Sequence, residues 1–201
     1  MRVLFVGAHV DDIEMGASGL LVKMLSKNEE CHVIVFSRCE DQPGNKGVSK
    51  EFYESMSVLG VKNPKLMDLP NTKLPQKSEK IRKILDKEKT TFNPDIVVTH
   101  DTSTLHQDHK AVTEECLRVF RNSSILMYED IKSVEHFAPN LIVSLTAEEF
   151  NKKIEAVGKY KTQTKRYYYD PEILKSLAKI RGKQMNVDFG EGYRIHRSVF
   201  K

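Results

Sequence analysis

Residues 2–37, RVLFVGAHVDDIEMGASGLLVKMLSKNEECHVIVFS, place two apolar runs on either side of an amphipathic segment. Val3–Ala8 and Val33–Ser37 are short, β-rich and bounded by polar residues, the pattern of parallel strands covered on both faces. Between them Ile13, Ala17, Leu20, Leu21, Met24 and Leu25 recur at helical spacing, which predicts one helix over Ile13–Ser26. The opening therefore reads strand–helix–strand. With one Arg and then His9, Asp11 and Asp12 after a short apolar run, it reads as a buried first strand rather than a signal peptide.

The same alternation continues. A helix over Ser49–Leu59 is closed by Gly60, and a short strand follows near Lys65–Leu69. A helix over Ser78–Lys87 precedes a strand at Asp95–Thr99, announced by Asn93 and Pro94. A helix over His109–Phe120 leads to a strand at Ile125–Tyr128. The last third gives a strand at Leu141–Leu145, a helix after Thr146 and another over Pro171–Arg181. Strands and helices in this rhythm imply a parallel sheet with right-handed crossovers. The expected fold is α/β: a single-domain, Rossmann-like, doubly wound and mostly parallel sheet of order 3-2-1-4-5, with an extra C-terminal strand and helices. No linker divides the 201 residues, so positions 1–201 read as one domain.

Composition narrows the function. No apolar run approaches the roughly 18 residues of a membrane span. Cys31, Cys39 and Cys116 are odd in number and widely spaced, which argues against a disulfide framework or a thiolate zinc site and for a reduced, cytoplasmic setting. A net charge of +4 is compatible with an anionic small molecule but too weak for a nucleic-acid face. The basic, aromatic segment 159–169 reads as a solvated helix end or a homo-oligomer contact, in preference to a phosphate clamp.

The chemistry-bearing residues fall into two clusters. Strand 1 runs into Ala8-His9-Val10-Asp11-Asp12-Ile13-Glu14. Strand 4 runs into Thr99-His100-Asp101, followed by His106-Gln107-Asp108-His109. In a 3-2-1-4-5 sheet these strands are neighbours at the reversal of strand order, where doubly wound sheets bind ligands. Imidazoles and carboxylates converging there suit a zinc site with three protein ligands and an open position. His9 and Asp12, three apart at a strand-to-helix turn, with His109 from across the cleft, form such a set. Asp11 is then placed as general base and His106 as donor to an oxyanion or leaving group. Taken singly, Asp11 or Asp12 reads more readily as a helix cap, and His106 with His109 as a solvated helix start.

AHVDDIEMGASG, followed by HQDH at 106–109, resembles the AHPDDIExGxGG and HPDH motifs of the PIG-L/LmbE-like zinc N-deacetylases. Ser37-Arg38-Cys39-Glu40, Glu51 with Val58-Leu59-Gly60-Val61, and Arg181-Gly182 with Gly190-Glu191-Gly192-Tyr193 are similar to weaker family segments. The resemblance implies His9, Asp12 and His109 as metal ligands, Asp11 as base and His106 as oxyanion and proton partner. It also implies that Asp108 orients His106 and that Glu14 is a substrate or second-tier contact. The chain departs from the family at Val10, where the family has Pro, and at Val48, where an Arg contacting substrate is expected. Lys46, Lys50 or Arg38 is expected to take over that contact, and Asp101 is expected to touch substrate as well.

The reading is thus a metal-dependent N-deacetylase with one Zn²⁺ per chain, iron(II) being the alternative occupant in cells. It would release acetate from an N-acetylglucosamine-type sugar or its conjugate. The rivals are an amidase on another small amide, a non-catalytic sugar- or nucleotide-binding module, and a two-metal phosphoesterase. Asp11 beside Asp12 disfavours the binder, and the small ligand set disfavours the phosphoesterase.

Overall fold

The structure is a computed structural model that describes residues 1–199. The strands are β1 (Arg2–His9), β2 (Glu30–Ser37), β3 (Lys65–Leu66), β4 (Ile96–His100), β5 (Ser124–Tyr128), β6 (Leu141–Leu145) and β7 (Phe189–Arg197). The helices are α1 (Asp12–Gly16), α2 (Ser18–Ser26), α3 (Val48–Leu59), α4 (Ser78–Thr91), α5 (Gln107–Val119), α6 (Ala147–Val157) and α7 (Pro171–Lys183). One sheet runs β3-β2-β1-β4-β5-β7-β6. Its first five strands are parallel and in the order expected, while β7 is antiparallel to both β5 and β6.

Alternation along the central strands builds two cores. Val3 and Phe5 of β1, with Val33 and Val35 of β2, face one layer that includes Leu21, Phe52 and Tyr160. Leu4, Val6 and Ala8, with Ile34 and Phe36, face the other, against Ile81, Leu85 and Val112. Burial of both faces is what the uninterrupted apolar runs require. No helix of the described residues is long and apolar enough to cross a membrane. Gly60 closes α3 at φ 87, a left-handed conformation that glycine adopts without steric cost.

The structure corrects the sequence in two places. The helix expected over Ile13–Ser26 is broken at Ala17, whose φ of −142 is not helical. The N-terminal amides of α2 that the break exposes are taken up by Glu191 of β7, which accepts from Gly19 N at 2.9 Å and Leu20 N at 2.8 Å. Glycine is required at position 19, because a Cβ there would lie 2.8 Å from the Glu191 carboxyl carbon. The second correction is β7 itself, a nine-residue strand between β5 and β6 where no strand was predicted. Gly190, Gly192 and the charges around them hide its β character.

Glu191 is a buried junction: it also meets Lys153 Nζ at 2.5 Å and accepts from Tyr193 Oη at 2.7 Å. Replacing it by Ala leaves the Lys153 ammonium and two helix amides buried without a partner. Glu191→Ala is expected to cost about 3–5 kcal/mol in urea unfolding. Adding Lys153→Met should recover part of that loss, and failure to recover any would show that the ion pair is not its source.

Candidate active site

At the carboxyl end of β1 the chain leaves the sheet through a turn in which Asp11 takes φ 85 and ψ −24. Left-handed backbone costs a non-glycine residue roughly 1–2 kcal/mol, and three bonds hold it here. His9 N–H donates to Asp12 Oδ2 at 2.7 Å. Asp11 N–H donates to Tyr160 Oη at 3.2 Å, and Tyr160 donates its own proton to Glu14 Oε1 at 2.5 Å. Val10, at the family's proline position, is buried in the core, and the turn forms without the proline.

The turn aims His9 and Asp12 at one point, and α5 brings His109 to it. His9 Nδ1 lies 3.2 Å from His109 Nε2 and 3.6 Å from Asp12 Oδ2, while His109 Nε2 lies 3.5 Å from Asp12 Oδ1. Donors about 2.0–2.2 Å from a tetrahedral ion stand roughly 3.3–3.6 Å apart; the imidazole pair approaches that spacing, and Asp12 turns one oxygen to each ring at a similar distance. Carboxylates fix both ring tautomers from behind. Asp108 Oδ2 is 2.9 Å from His9 Nε2, and Asp130 Oδ2 is 3.4 Å from His109 Nδ1, leaving the inward nitrogens free as donors.

Two further histidines crowd the point, and the triplets whose donor atoms, one per residue, all lie within 4.8 Å of one another are His9 with His106 and His109, and Asp12 with His100 and His109. Neither His100 nor His106 is a convincing ligand. His100 is fully buried, and its Nε2 already accepts from Ala8 N at 3.0 Å. His106 caps α5, its Nδ1 accepting from Asp108 N at 3.2 Å. That bond requires the neutral ring to carry its proton on Nε2, where it is a donor. Burial, reinforced by the His109 and His9 charges, lowers His106 to about 4, so the ring is neutral.

These groups open into a cavity of about 210 Å³ lined by His9, Asp11, Asp12, His106 and His109, with Asp130, Lys132, Arg166 and Tyr168 on other walls. That is roughly seven times the volume of a water molecule, room for one small-molecule moiety. Burial and the Asp12 and Glu14 charges push the Asp11 carboxyl well above the ordinary aspartate range, and Arg166 and Lys132 pull against them. For His109, burial opposes the charged form but is outweighed by Asp12 and Asp130, which raise it to about 9.

The structure thus gathers His9, Asp11, Asp12, His106 and His109, and corrects the remaining expectations. Asp108 backs His9 rather than His106; its carboxylate also accepts from Thr72 N and Leu74 N, which hold it there. Glu14 is wholly buried beneath the turn and serves Tyr160. Arg38 points out of the cavity toward Asp68, 3.8 Å away, because Cys39 takes the left-handed turn that faces inward. Lys50 lies on the exposed face of α3 beside Glu54. Asp101 is buried against Arg194 at 2.6 Å and Ser103. Segment 159–169 is no solvated end: Tyr160, Tyr168 and Tyr169 are buried, and Gln163, Arg166 and Tyr168 line the cavity. Sequence reasoning missed Asp130, although it lies two residues past the end of β5, where the rule that found the other clusters points.

A family model described as GlcNAc-PI de-N-acetylase, PIG-L, matches residues 4–120, more than half of the chain. A curated relative, the uncharacterized deacetylase YaiS of Escherichia coli K12, is 27% identical over 169 residues, covering 80% of this chain and 90% of that protein. Among solved structures, the conserved protein TT1542 from Thermus thermophilus superposes with a TM-score of 0.83 at 21% identity, over 99% of this chain and 96% of that one. The N,N'-diacetylchitobiose deacetylase from Pyrococcus horikoshii gives 0.76 at 23% identity, over 96% and 83%. At these identities the two structures establish a shared fold.

Two measurements test the donor set. Asp12→Ala should abolish stoichiometric zinc binding in equilibrium dialysis, and Asp108→Asn or Asp130→Asn should weaken it about 10–100-fold; undiminished binding by Asp12→Ala would exclude the set. The pH dependence follows from His109. Its folded pKa, about 9, lies above the ordinary 6.5, so its stabilising charge is complete below pH 6.5 and is lost as pH rises through 9. A metal ion has to displace that proton, so zinc affinity should rise about tenfold per pH unit between pH 6 and 8. A flat profile would remove His109 from the ligands.

Proposed function

The chain belongs to the PIG-L family of de-N-acetylases, and from that premise we propose that it hydrolyses the acetamide of an N-acetylglucosamine-type sugar, using one divalent cation held by His9, Asp12 and His109. The observation that carries this reading is the His9–His109 imidazole pair, 3.2 Å apart, with one Asp12 oxygen 3.6 Å from His9 and the other 3.5 Å from His109, and with Asp11 and the neutral His106 lining the same small cavity. Two imidazoles and one carboxylate suit zinc, with iron(II) as the alternative. When bound, such an ion supplies an electron-pair acceptor that polarises a carbonyl and makes water acidic near neutral pH.

The chain's own residues supply the proton chemistry. Asp11 takes a proton from the attacking water as the new C–O bond forms at the acetamide carbon. Burial and the neighbouring Asp12 and Glu14 charges raise its pKa, which makes the carboxylate a stronger proton acceptor than an ordinary aspartate. His106 donates its Nε2 hydrogen to the oxyanion developing on the former carbonyl oxygen, and one such donor is worth roughly 3–4 kcal/mol. As the C–N bond breaks, Asp11 passes its proton to the departing nitrogen. The products are acetate and a free amino sugar.

Asp11→Asn keeps the shape and the neighbouring donors but cannot take a proton. Turnover should fall about 10²–10⁴-fold while one zinc per chain remains bound, read by acetate release and metal analysis on the same sample. Zinc-loaded wild type that releases no acetate from any N-acetylglucosaminide would refute the proposal, and two metals per chain would favour the phosphoesterase.

A further inference from the structure

The wall of the cavity contributed by the last third of the chain carries two cations. Lys132 and Arg166 both line it, and both converge on the Tyr168 hydroxyl. Arg166 Nη1 donates to Tyr168 Oη at 2.6 Å and Lys132 Nζ donates to it at 3.3 Å, with Nζ also 4.6 Å above the ring centroid. Arg166 is steadied further by Asn45 Oδ1 at 3.5 Å, and Asn45 is itself held by Gln163 Nε2 at 3.1 Å.

Neither cation forms an ion pair with a carboxylate of the described residues. The cavity's acidic residues are otherwise engaged: Asp12 and Asp130 with histidines, and Glu129 with Arg181 at 2.5 Å. Asp11 alone among them has no ion-pair partner, and it feels both cations at longer range. Two like charges gathered on one hydroxyl repel each other, and no ion pair with a carboxylate of the described residues offsets that repulsion. They do offer a planar fork, a point charge and a phenolic hydroxyl at one place, which is a donor set for an oxyanion.

We infer that Arg166, Lys132 and Tyr168 form a subsite for an anionic group, carboxylate or phosphate, carried by the substrate beyond its acetamido sugar. The inference rests on the proposed deacetylation and names the half of the substrate which that reaction leaves open. The competing role for the two cations is to restrain the pKa of Asp11, which would affect every substrate alike.

Three substrates separate these roles: methyl N-acetylglucosaminide, N-acetylglucosamine 1-phosphate and the N-acetylglucosaminide of glycolic acid. The wild type should prefer at least one of the two anionic substrates in kcat/KM, and the preferred one identifies the anion as phosphate or carboxylate. Arg166→Gln and Lys132→Gln should each lower kcat/KM for that substrate about 10–100-fold more than for the methyl glycoside, with the excess loss mainly in KM. Arg166→Lys should restore part of the preference. Equal losses on neutral and anionic substrates, or a wild type without preference, would overturn the inference. Calorimetry with glucosamine 1-phosphate and the glucosaminide of glycolic acid gives a readout independent of turnover. Weaker binding of either by the Gln variants supports the subsite even if no acetamide is cleaved, an outcome that would refute the deacetylation instead. Unchanged binding of both overturns the subsite.

Discussion

The site depends on the left-handed turn at Asp11. A strand that continued straight would send successive side chains to opposite faces of the sheet, whereas a positive φ just past β1 lets His9 and Asp12 address one point. The turn is expensive, and its partners are spread along the chain: Asp12 accepts from the His9 amide, and Tyr160, 149 residues away, accepts from Asp11 itself. Glu14 completes the arrangement by taking the Tyr160 proton. Strain held by a distant hydroxyl is the kind that persists only where the surroundings over-determine it. This explains why Tyr160 is wholly buried although it belongs to the most basic stretch of the sequence.

Around that turn the charges are layered. The inward nitrogens of His9 and His109 stand 3.2 Å apart with an Asp12 oxygen within 3.6 Å of each, and each imidazole is backed by a carboxylate on its far nitrogen. Asp108 is in turn held by the Thr72 and Leu74 amides. Such a set concentrates negative potential where a cation belongs. The raised pKa of His109 and the depressed pKa of Asp130, about 2, are two expressions of it; burial opposes both, and it is outweighed at His109 by Asp12 and then Asp130, and at Asp130 by His109. The orientation of the ligands is therefore built into the protein, and the open side of the set faces the cavity that also holds Asp11 and His106.

What the sequence revealed, and what it hid, divides along physical lines. Strand order was legible because β1, β2, β4 and β5 are buried on both faces and read as apolar runs. The five residues that meet in the cavity were legible because they sit just past strand ends at the reversal of order. Partnerships between side chains were not. Spacing could not say that Asp108 turns toward His9, that Asp101 is consumed by Arg194, or that Cys39, and not Arg38, faces inward, since each depends on one rotamer or one backbone angle. The strand β7 was invisible because its glycines answer to packing: a Cβ at Gly190 would meet the backbone of α7 at 3.0 Å.

The family match ends at residue 120, and that boundary coincides with a division in the cavity. His9, Asp11, Asp12, His106, Asp108 and His109 all lie before it, on β1, α5 and the turns they open. Lys132, Gln163, Arg166 and Tyr168 lie after it, on segments 131–133 and 163–168 that close over the first group. Asp130 and Tyr160 cross the division from the later part of the chain, the first backing a ligand and the second holding the turn at Asp11. A reaction that needs a fixed constellation is best carried by strand ends, which the sheet holds rigidly, while recognition of whatever is attached to the sugar falls to connecting segments that vary without disturbing the sheet. The two unpaired cations belong to this later part, so relatives that share the matched region need not share the charge of this cavity wall.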